Sequence, residues 1–207
     1  MLKKLNITER PYFEPEHLIE EVIKPCFNTS KTTNLLSAYF NFESFIEISE
    51  SLSHFLNNDG KMKIIVSIPK HYESFDYENL DSAIIEAYSS RSPNKTYQDF
   101  KKTILTKSGG LKDELKMNKV ALISYLVKTG IIKIKFSIRD EGFDHSKIYI
   151  FDDSEDKVVL SSAMNWTFNG LNEQSNQTTV HTSFGDSDIW KYSVNRFDNI
   201  WNNKVEK

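Results

Sequence analysis

The chain has 207 residues, of which 39% are hydrophobic and 13% aromatic, and this is enough apolar material for one domain with its own core. Its formal net charge of −3 excludes a uniformly basic protein that binds nucleic acid over its whole surface, although it leaves room for a local basic groove. The single cysteine, Cys26, excludes an intrachain disulfide framework and a zinc site built on cysteines.

The N-terminus reads MLKKLNITERPYF and lacks the apolar segment of a secretory signal. No apolar run in the sequence reaches the length of a membrane span. We therefore expect a cytoplasmic protein that has no membrane partner.

The first third of the chain has the pattern of a parallel crossover unit. Residues 14–24 have helical spacing, and Pro25 is expected to end that helix. Apolar runs at 34–42 and 62–68 are typical of buried strands, and residues 45–56 between them have helical spacing. A strand, helix, strand order predicts two parallel strands in one sheet.

The rest of the chain adds helices and further strands. A lysine-rich helical insertion is predicted at about 80–128, followed by a strand at 131–138 with one basic face and another at 177–182. A last helix presents one apolar face, formed by Trp190, Val194, Phe197 and Trp201. The sequence thus predicts a single α/β domain over residues 1–207, with α/β/α layers and a mixed central sheet.

Polar groups concentrate in residues 144–176, which read as a hairpin of two strands. His145 and Lys147 alternate on one side of the first strand, and Asn165 follows the second strand, before an Asn169-Gly170 turn. Such a hairpin would bring an imidazole, an ammonium and an amide to one place. A nucleophile or general acid beside a cation and an amide donor suits a phosphoryl oxyanion.

This segment resembles the HKD motif of the phospholipase D superfamily. His145-x-Lys147, four further residues and Asp152 match the first half of the family pattern, and Asn165 after a run of small residues matches the end of the second half. The stretch AMNWTFNGLNEQSN is especially similar to the nuclease branch, where Asn-aromatic-Thr is common. The resemblance implies a layered phospholipase D-like domain.

The second half of the motif departs from the family pattern, which is Gly-Ser-x-Asn or Gly-Ser-x-x-Asn. Ser162 and Ala163 occupy the Gly and Ser positions of the shorter form, whereas in the longer form Ser161 replaces Gly and Ser162 supplies the hydroxyl. Many relatives also carry a Glu that orients the catalytic His. That place falls near Asn176, with Glu173 the nearest carboxylate, and an Asn stabilises imidazolium less than a carboxylate does.

The superfamily generally uses two facing motifs, and this sequence has one His-x-Lys, so the resemblance implies a homodimer with a composite site. One His145 would form a phosphohistidine, and the second His145 would act as general acid and then as general base. Lys147 and Asn165 would hold the phosphoryl oxygens, and Asp152 would fix the hairpin turn. No metal or other cofactor is implied, and the sequence has no His-x-x-x-His spacing.

Among superfamily members, the chain is similar to restriction endonucleases of the NgoFVII and BfiI type and to domains of helicase-like defence proteins. This implies a metal-independent DNA endonuclease in restriction or phage defence, with a helicase or another defence-system protein as a possible partner. A phospholipase or other phosphodiesterase is one alternative. A catalytically weak nucleic-acid-binding module is another, favoured by the Ser162-Ala163 departure and the missing Glu.

The expected DNA contacts are basic and aromatic side chains near the motif. A phosphate-tracking groove is predicted from Lys101, Lys102, Lys133 and Lys135, with Trp166 or Tyr97 stacking on a base. Alternatively, the lysines form an ordinary solvated surface, and Trp166 is a core residue that holds the loop after Asn165.

Overall fold

The structure, a computed structural model, describes residues 1–68, 119–138 and 144–203. Within these residues a seven-stranded sheet has the order β1-β7-β6-β5-β2-β3-β4. The strands are β1 (Pro11–Tyr12), β2 (Thr32–Ser37), β3 (Lys61–Ile68), β4 (Ile132–Ile138), β5 (Ile148–Asp152), β6 (Lys157–Ser162) and β7 (Thr178–Thr182).

The described α-helices are α1 (Pro15–Leu18), α2 (Lys24–Thr29), α3 (Ser49–Asn57), α4 (Lys119–Lys128), α5 (Phe168–Asn172) and α6 (Ile189–Trp201). Short 3₁₀ turns lie at Leu2–Lys4 and Phe42–Ile46. None of the described helices is long and apolar enough to cross a membrane. The predicted insertion lies outside the described residues except for α4, which is helical as expected.

The sheet is mixed, as predicted. β2, β3 and β4 are parallel, whereas β5 runs antiparallel to both β2 and β6. The predicted crossover from β2 through α3 to β3 is therefore confirmed. Because of these directions, the ends of β2, β3, β4 and β6 meet the beginning of β5 at one edge of the sheet.

The sheet is covered on both faces, so the predicted three layers are confirmed. The larger core packs α2, α3 and α4 against one face and is rich in aromatic rings, among them Phe27, Phe45 and Phe55. On the other face, Phe197 of α6 is fully buried. The predicted apolar face of α6 packs there against Leu36, Ile65, Ile148, Ile150 and Val159.

The first helical segment does not end at Pro25, which corrects the sequence-based expectation. A π-helical turn, Ile19–Ile23, joins α1 to α2, and the Lys24 N–H donates to the Ile19 carbonyl five residues back. A proline in an α-helix lacks an N–H and crowds the carbonyl four residues earlier. The wider π turn just before Pro25 absorbs that conflict, so the helical path continues to Thr29.

Candidate active site

The site is built where the chain enters β5. β5 begins at Ile148, which lies opposite Leu36 of β2 and Ser161 of β6. His145 and Lys147, predicted on this strand, therefore lie just before it, three positions and one position ahead of Ile148. The backbone N–H of Ser162 donates to the Lys147 carbonyl at 3.1 Å, so Lys147 continues the pairing of β5 with β6. His145 is exposed, whereas Lys147 is only 4% exposed. The segment thus presents an accessible imidazole above a buried lysine.

The Lys147 ammonium lies directly against the imidazole of His145. Its Nζ is 2.8 Å from Nδ1 and 2.9 Å from Nε2, and it donates to the His145 carbonyl at 2.8 Å. An ammonium can only donate, and an imidazole offers at most one acceptor nitrogen, so the tautomer decides which of the two ring contacts is a hydrogen bond. Burial lowers the pKa of Lys147, and the negative charge of Asp144 partly opposes that shift.

Asn165 reaches the same edge of the sheet on the loop between β6 and α5. Its Oδ1 accepts from the backbone N–H of Tyr39, just beyond the end of β2, at 3.3 Å. The Tyr149 hydroxyl donates to the Met164 carbonyl, and the Trp166 N–H donates to Ser37 Oγ at 3.0 Å. Contacts with β2 and β5 therefore fix the loop on both sides of Asn165.

The Asn169-Gly170 pair does not form the predicted turn. Both residues lie in α5, whose N-cap is Thr167, with Thr167 Oγ1 accepting from the Gly170 N–H at 3.1 Å. A β-carbon at Gly170 would overlap the Asn165 carbonyl oxygen. Glycine is therefore needed here for close approach to the Asn165 backbone, and the helix cap outweighs the local turn preference of Asn-Gly.

The two motif serines face opposite sides of the sheet. Ser162 Oγ is 2.5 Å from Thr178 Oγ1 and accepts from the Met164 N–H at 2.9 Å, beneath the loop that carries Asn165. Ser161 Oγ is 3.4 Å from Ser193 Oγ on α6. Ser162 thus lies beneath the loop of the site, and its role as the hydroxyl of the longer spacing stays a prediction.

Asp152 lies at the other end of β5. Its carboxylate accepts from the Ser154 N–H at 2.6 Å and pairs with the Lys157 ammonium across the hairpin turn. At about 3.3 Å per residue, it is roughly 23 Å from His145 along the strand. These contacts are those of a residue that fixes the turn.

No family model and no curated protein sequence matches this chain. Among solved structures, NucT from Helicobacter pylori is similar with a TM-score of 0.51 and 12% identity, over 93% of this chain and 94% of that chain. Nuc from Salmonella typhimurium, described as a phospholipase D family member, gives a TM-score of 0.50 and 11% identity over 93% of each chain. The chain has the phospholipase D fold. The predicted fold class is thereby confirmed.

Within the phospholipase D fold of this chain, the two candidates for orienting the imidazole lie beyond α5. Glu173 is exposed, and its N–H donates to the Asn169 carbonyl at 2.9 Å. The Asn176 amide donates to Gln174, at 3.3 Å from its carbonyl and 3.5 Å from its Oε1. A role for either residue toward His145 stays a prediction.

Trp166 is a core residue, so the expectation that it stacks on a base is wrong. It is fully buried, and its ring centroid is 4.8 Å from that of Tyr149 and 6.0 Å from that of Phe45. The large apolar area of an indole is more favourably placed in the core than at the surface. The alternative interpretation, a residue that holds the loop after Asn165, is correct.

Of the lysines proposed for a DNA groove, the two that the structure describes lie on β4 rather than beside the motif. Lys135 on β4 donates to the Trp201 carbonyl at 2.6 Å, and its Nζ lies 5.0 Å from the Trp201 ring centroid, so it closes the C-terminus of α6. Three strand spacings of about 4.8 Å separate β4 from β5. Lys133 is exposed, and its contact with DNA stays a prediction, while Lys101, Lys102 and Tyr97 lie outside the described residues.

Three residues near the site had no role in the sequence-based interpretation. Asp144 and Arg196 form an ion pair of 2.9 Å behind His145, and their separation of 52 positions hid it. Tyr39 is 45% exposed beside Asn165. In the described residues, no cluster of three or more His, Cys, Asp or Glu side chains could hold a metal ion.

Proposed function

We propose that the protein is a metal-independent phosphodiesterase, and specifically a DNA endonuclease that acts through a phosphohistidine. The observation that carries this proposal is the contact between the Lys147 ammonium and the imidazole of His145, at 2.8 and 2.9 Å, within a phospholipase D fold. A cation beside an accessible imidazole suits attack on a phosphodiester, because it neutralises the charge that develops on phosphorus-bound oxygen.

In the proposed reaction a ring nitrogen of His145 attacks phosphorus, and a P–N bond forms as the P–O bond of the leaving group breaks. The His145 of a second subunit gives its proton to the leaving oxygen. That same imidazole then takes a proton from water, which attacks phosphorus and breaks the P–N bond. Lys147 and Asn165 donate to the non-bridging oxygens during both steps.

A second copy of the chain is needed because the sequence holds one His-x-Lys and the two steps require an acid–base group opposite the nucleophile. The exposed position of His145 at the edge of the sheet allows two such edges to meet across a two-fold axis. The site is therefore composite, and the homodimer is the active form.

DNA is favoured over a lipid by the surroundings of Asn165. Tyr39 presents a half-exposed aromatic ring there, and an accessible ring can stack on a base, the role first considered for the buried Trp166. Cytoplasmic action in restriction or phage defence, with a helicase or other defence-system partner, follows from the motif's similarity to restriction endonucleases and defence proteins.

The test is cleavage of supercoiled plasmid and single-stranded DNA in excess EDTA. Wild type and His54→Ala, which changes an exposed histidine on α3, should cut equally, and His145→Ala should not cut. Cutting that EDTA abolishes, or that His145→Ala retains, would overturn the proposal. DNA binding without any cutting by the wild type would support the binding-module alternative instead.

The composite site has its own test. After subunit exchange with an equal amount of His145→Ala, only about a quarter of the dimers retain two imidazoles. Total activity should then fall to about half of that of the same wild-type protein left unmixed. Activity that is unaffected by mixing, and unchanged on dilution of the wild type, would show that one chain suffices.

A further inference from the structure

Four lysines lie side by side on one face of β3 and β4. Lys63 is directly opposite Lys133, and Lys135 is opposite Ile65. Ile65 packs against α6, whereas the alternate residues of both strands enter the larger core, so these lysines share the α6 face of the sheet. Lys61 occupies the same face two residues before Lys63. We call these four residues the lysine patch: Lys61, Lys63, Lys133 and Lys135.

The C-terminal end of α6 accounts for two of these lysines. The Nζ atoms of Lys63 and Lys135 lie 5.2 Å and 5.0 Å from the centroid of the Trp201 ring. Lys135 also donates to the Trp201 carbonyl at 2.6 Å. An aromatic ring and the negative end of a helix both stabilise an ammonium group, so Lys63 and Lys135 have a structural role.

Lys61 and Lys133 are placed differently. Both are exposed, and among the described residues neither side chain forms an ion pair or a hydrogen bond. Asp152 lies in the same row of the sheet as Lys61, but its carboxylate is paired with Lys157. Lys133 also faces the like charge of Lys63, and like charges on neighbouring strands repel each other. This repulsion would fall if an anion bound to the patch.

The arrangement of the lysine patch suits an anion with repeating charges. Lysines two residues apart on one strand are separated by about 6.6 Å, and the two strands are about 4.8 Å apart. The protein has a formal net charge of −3, so this grid concentrates positive potential on one local surface. A DNA strand carries one phosphate charge per 3.4 Å of duplex axis, so its backbone meets several lysines at once.

The patch is close enough to the candidate active site to contact the same DNA molecule. Ile148, at the start of β5, pairs with Leu36, which pairs with Ile65. Ile65 in turn pairs with Lys135, so the patch shares a row of the sheet with the beginning of β5. Three strand spacings of about 4.8 Å span this row, roughly 14 Å in all. A duplex covers that length in about four base pairs.

We propose that the lysine patch is a second DNA-binding surface, which contacts backbone phosphates outside the cleavage site. This inference rests on the proposed function, because DNA held at His145 brings its backbone within reach of the patch. The surface lies on the α6 face of the sheet, whereas the sequence predicted a groove beside the motif. Its contacts go to phosphates, so they add affinity and hold the DNA in position without adding sequence specificity.

The test is the salt dependence of DNA binding by the complete protein, with a duplex several helical turns long. All proteins carry His145→Ala and are kept in EDTA, so that the duplex stays uncut. Lys61→Gln and Lys133→Gln are introduced together, because both side chains are exposed and neither contacts Trp201. A plot of log binding constant against log salt concentration should become shallower by roughly 1.8, since each phosphate contact contributes about 0.9.

The matched control combines Lys24→Gln with Lys191→Gln. These two lysines form ion pairs with Glu20 and Asp188, away from β3 and β4, so the control changes the net charge by the same amount. Its plot should have the slope of the parent protein. Thermal unfolding of both double variants shows whether they are folded.

A shallower slope in the patch variant alone would support the proposal. Unchanged slopes, or equal changes in the patch variant and the control, would overturn it and leave the nuclease proposal standing, because cleavage is measured separately. Binding of polyglutamate but not of DNA, lost in the patch variant, would overturn it in favour of an acidic protein partner. DNA binding through the patch by a wild type that cuts no DNA would support this inference and overturn only the nuclease proposal.

Discussion

A lysine and an aspartate lie near each end of β5, yet the two ends place these charges in different surroundings. At the turn, Lys157 and Asp152 form an ion pair whose side chains are 27% and 22% exposed. At the site, Lys147 is 4% exposed and lies against an imidazole, while Asp144 is held by Arg196. The free energy cost of carrying a charge is therefore much higher for the residues at the site than for those at the turn.

The difference shows how position within the sheet determines what a charge can do. At the turn, water screens the ion pair, and its contribution is local and small. At the other end the charges are withdrawn from water, where electrostatic interactions are strong and an unpaired charge is costly. A cation there interacts strongly with any phosphate oxygen that reaches it.

The largest expected effect is the difference in DNA cleavage between variants of the two lysines. Lys147→Met should reduce cleavage by at least about 100-fold, because a donor to the developing oxyanion is removed. Lys157→Met should leave the cleavage rate unchanged. Both rates are measured under single-turnover conditions in EDTA. Equal losses in the two variants would remove the distinction between the ends of β5.

The lowered pKa of Lys147 also predicts how the stability of the protein changes with pH. Its pKa is lowered on folding, so the unfolded chain binds more protons between that lowered pKa and the ordinary value of 10.5. Charge on Lys147 thus opposes folding at neutral pH, and this penalty fades as the pH rises through that window. Lys147→Met should lack this dependence in urea unfolding between pH 7 and pH 10. A wild type that loses stability relative to the variant in this range would contradict the sign.

Two glycines, one at the site and one on the turn side of the sheet, lie directly against backbone carbonyls. A β-carbon at Gly170 would overlap the Asn165 carbonyl, and one at Gly60, on the turn side of the sheet, would lie 2.5 Å from the Phe55 carbonyl. Gly170→Ala and Gly60→Ala should each cost about 1–3 kcal/mol of unfolding free energy. Only Gly170→Ala should also slow cleavage in the folded protein, by about tenfold or more, because a small displacement of Asn165 is enough.

At the turn, Asp153 is the carboxylate with the greater structural role. Burial alone would raise its pKa, but backbone N–H donors from Asp156, Leu2 and Glu155 hold it below its usual value. Asp153→Ala should cost about 1–3 kcal/mol, because those donors lose their acceptor. The wild-type advantage should be full above pH 4 and vanish as the pH falls through the lowered pKa. An advantage that grows in acid would contradict this assignment.

The smallest effect is expected for the partly exposed ion pair between Asp152 and Lys157. Asp152→Asn should change the unfolding free energy by no more than about 1 kcal/mol, since Asn can still accept from the Ser154 N–H and the ion pair is partly screened. Cleavage should be unchanged. A loss of cleavage would mean that Asp152 acts beyond the turn that it holds.

Sequence reasoning succeeded where one short-range pattern decides the outcome. The apolar runs at 34–42 and 62–68 predicted β2 and β3, although β2 ends at Ser37. The spacing of Trp190, Val194, Phe197 and Trp201 predicted the buried face of α6. The proximity of His145 and Lys147 follows from alternation along a single extended segment. Such features need no knowledge of what else packs nearby.

It failed where tertiary contacts override a local preference. The position of Trp166 next to Asn165 suggested that its ring stacks on a base, but the ring is buried in the aromatic core. Asn169-Gly170 suggested a turn, but the Thr167 cap makes it helical. The pairing of Asp144 with Arg196 joins two distant segments, and no pattern in one sequence predicts such a pair.

A phosphohistidine at His145 can be captured directly as a covalent intermediate. A short single-stranded oligonucleotide is mixed with the protein in EDTA, quenched in alkali, which preserves phosphohistidine, and the digested peptides are analysed by mass spectrometry. We expect a nucleotide adduct on the peptide that contains His145, absent from His145→Ala and retained in His54→Ala. Cleavage without an adduct on this peptide, or with an adduct on another residue, would contradict it.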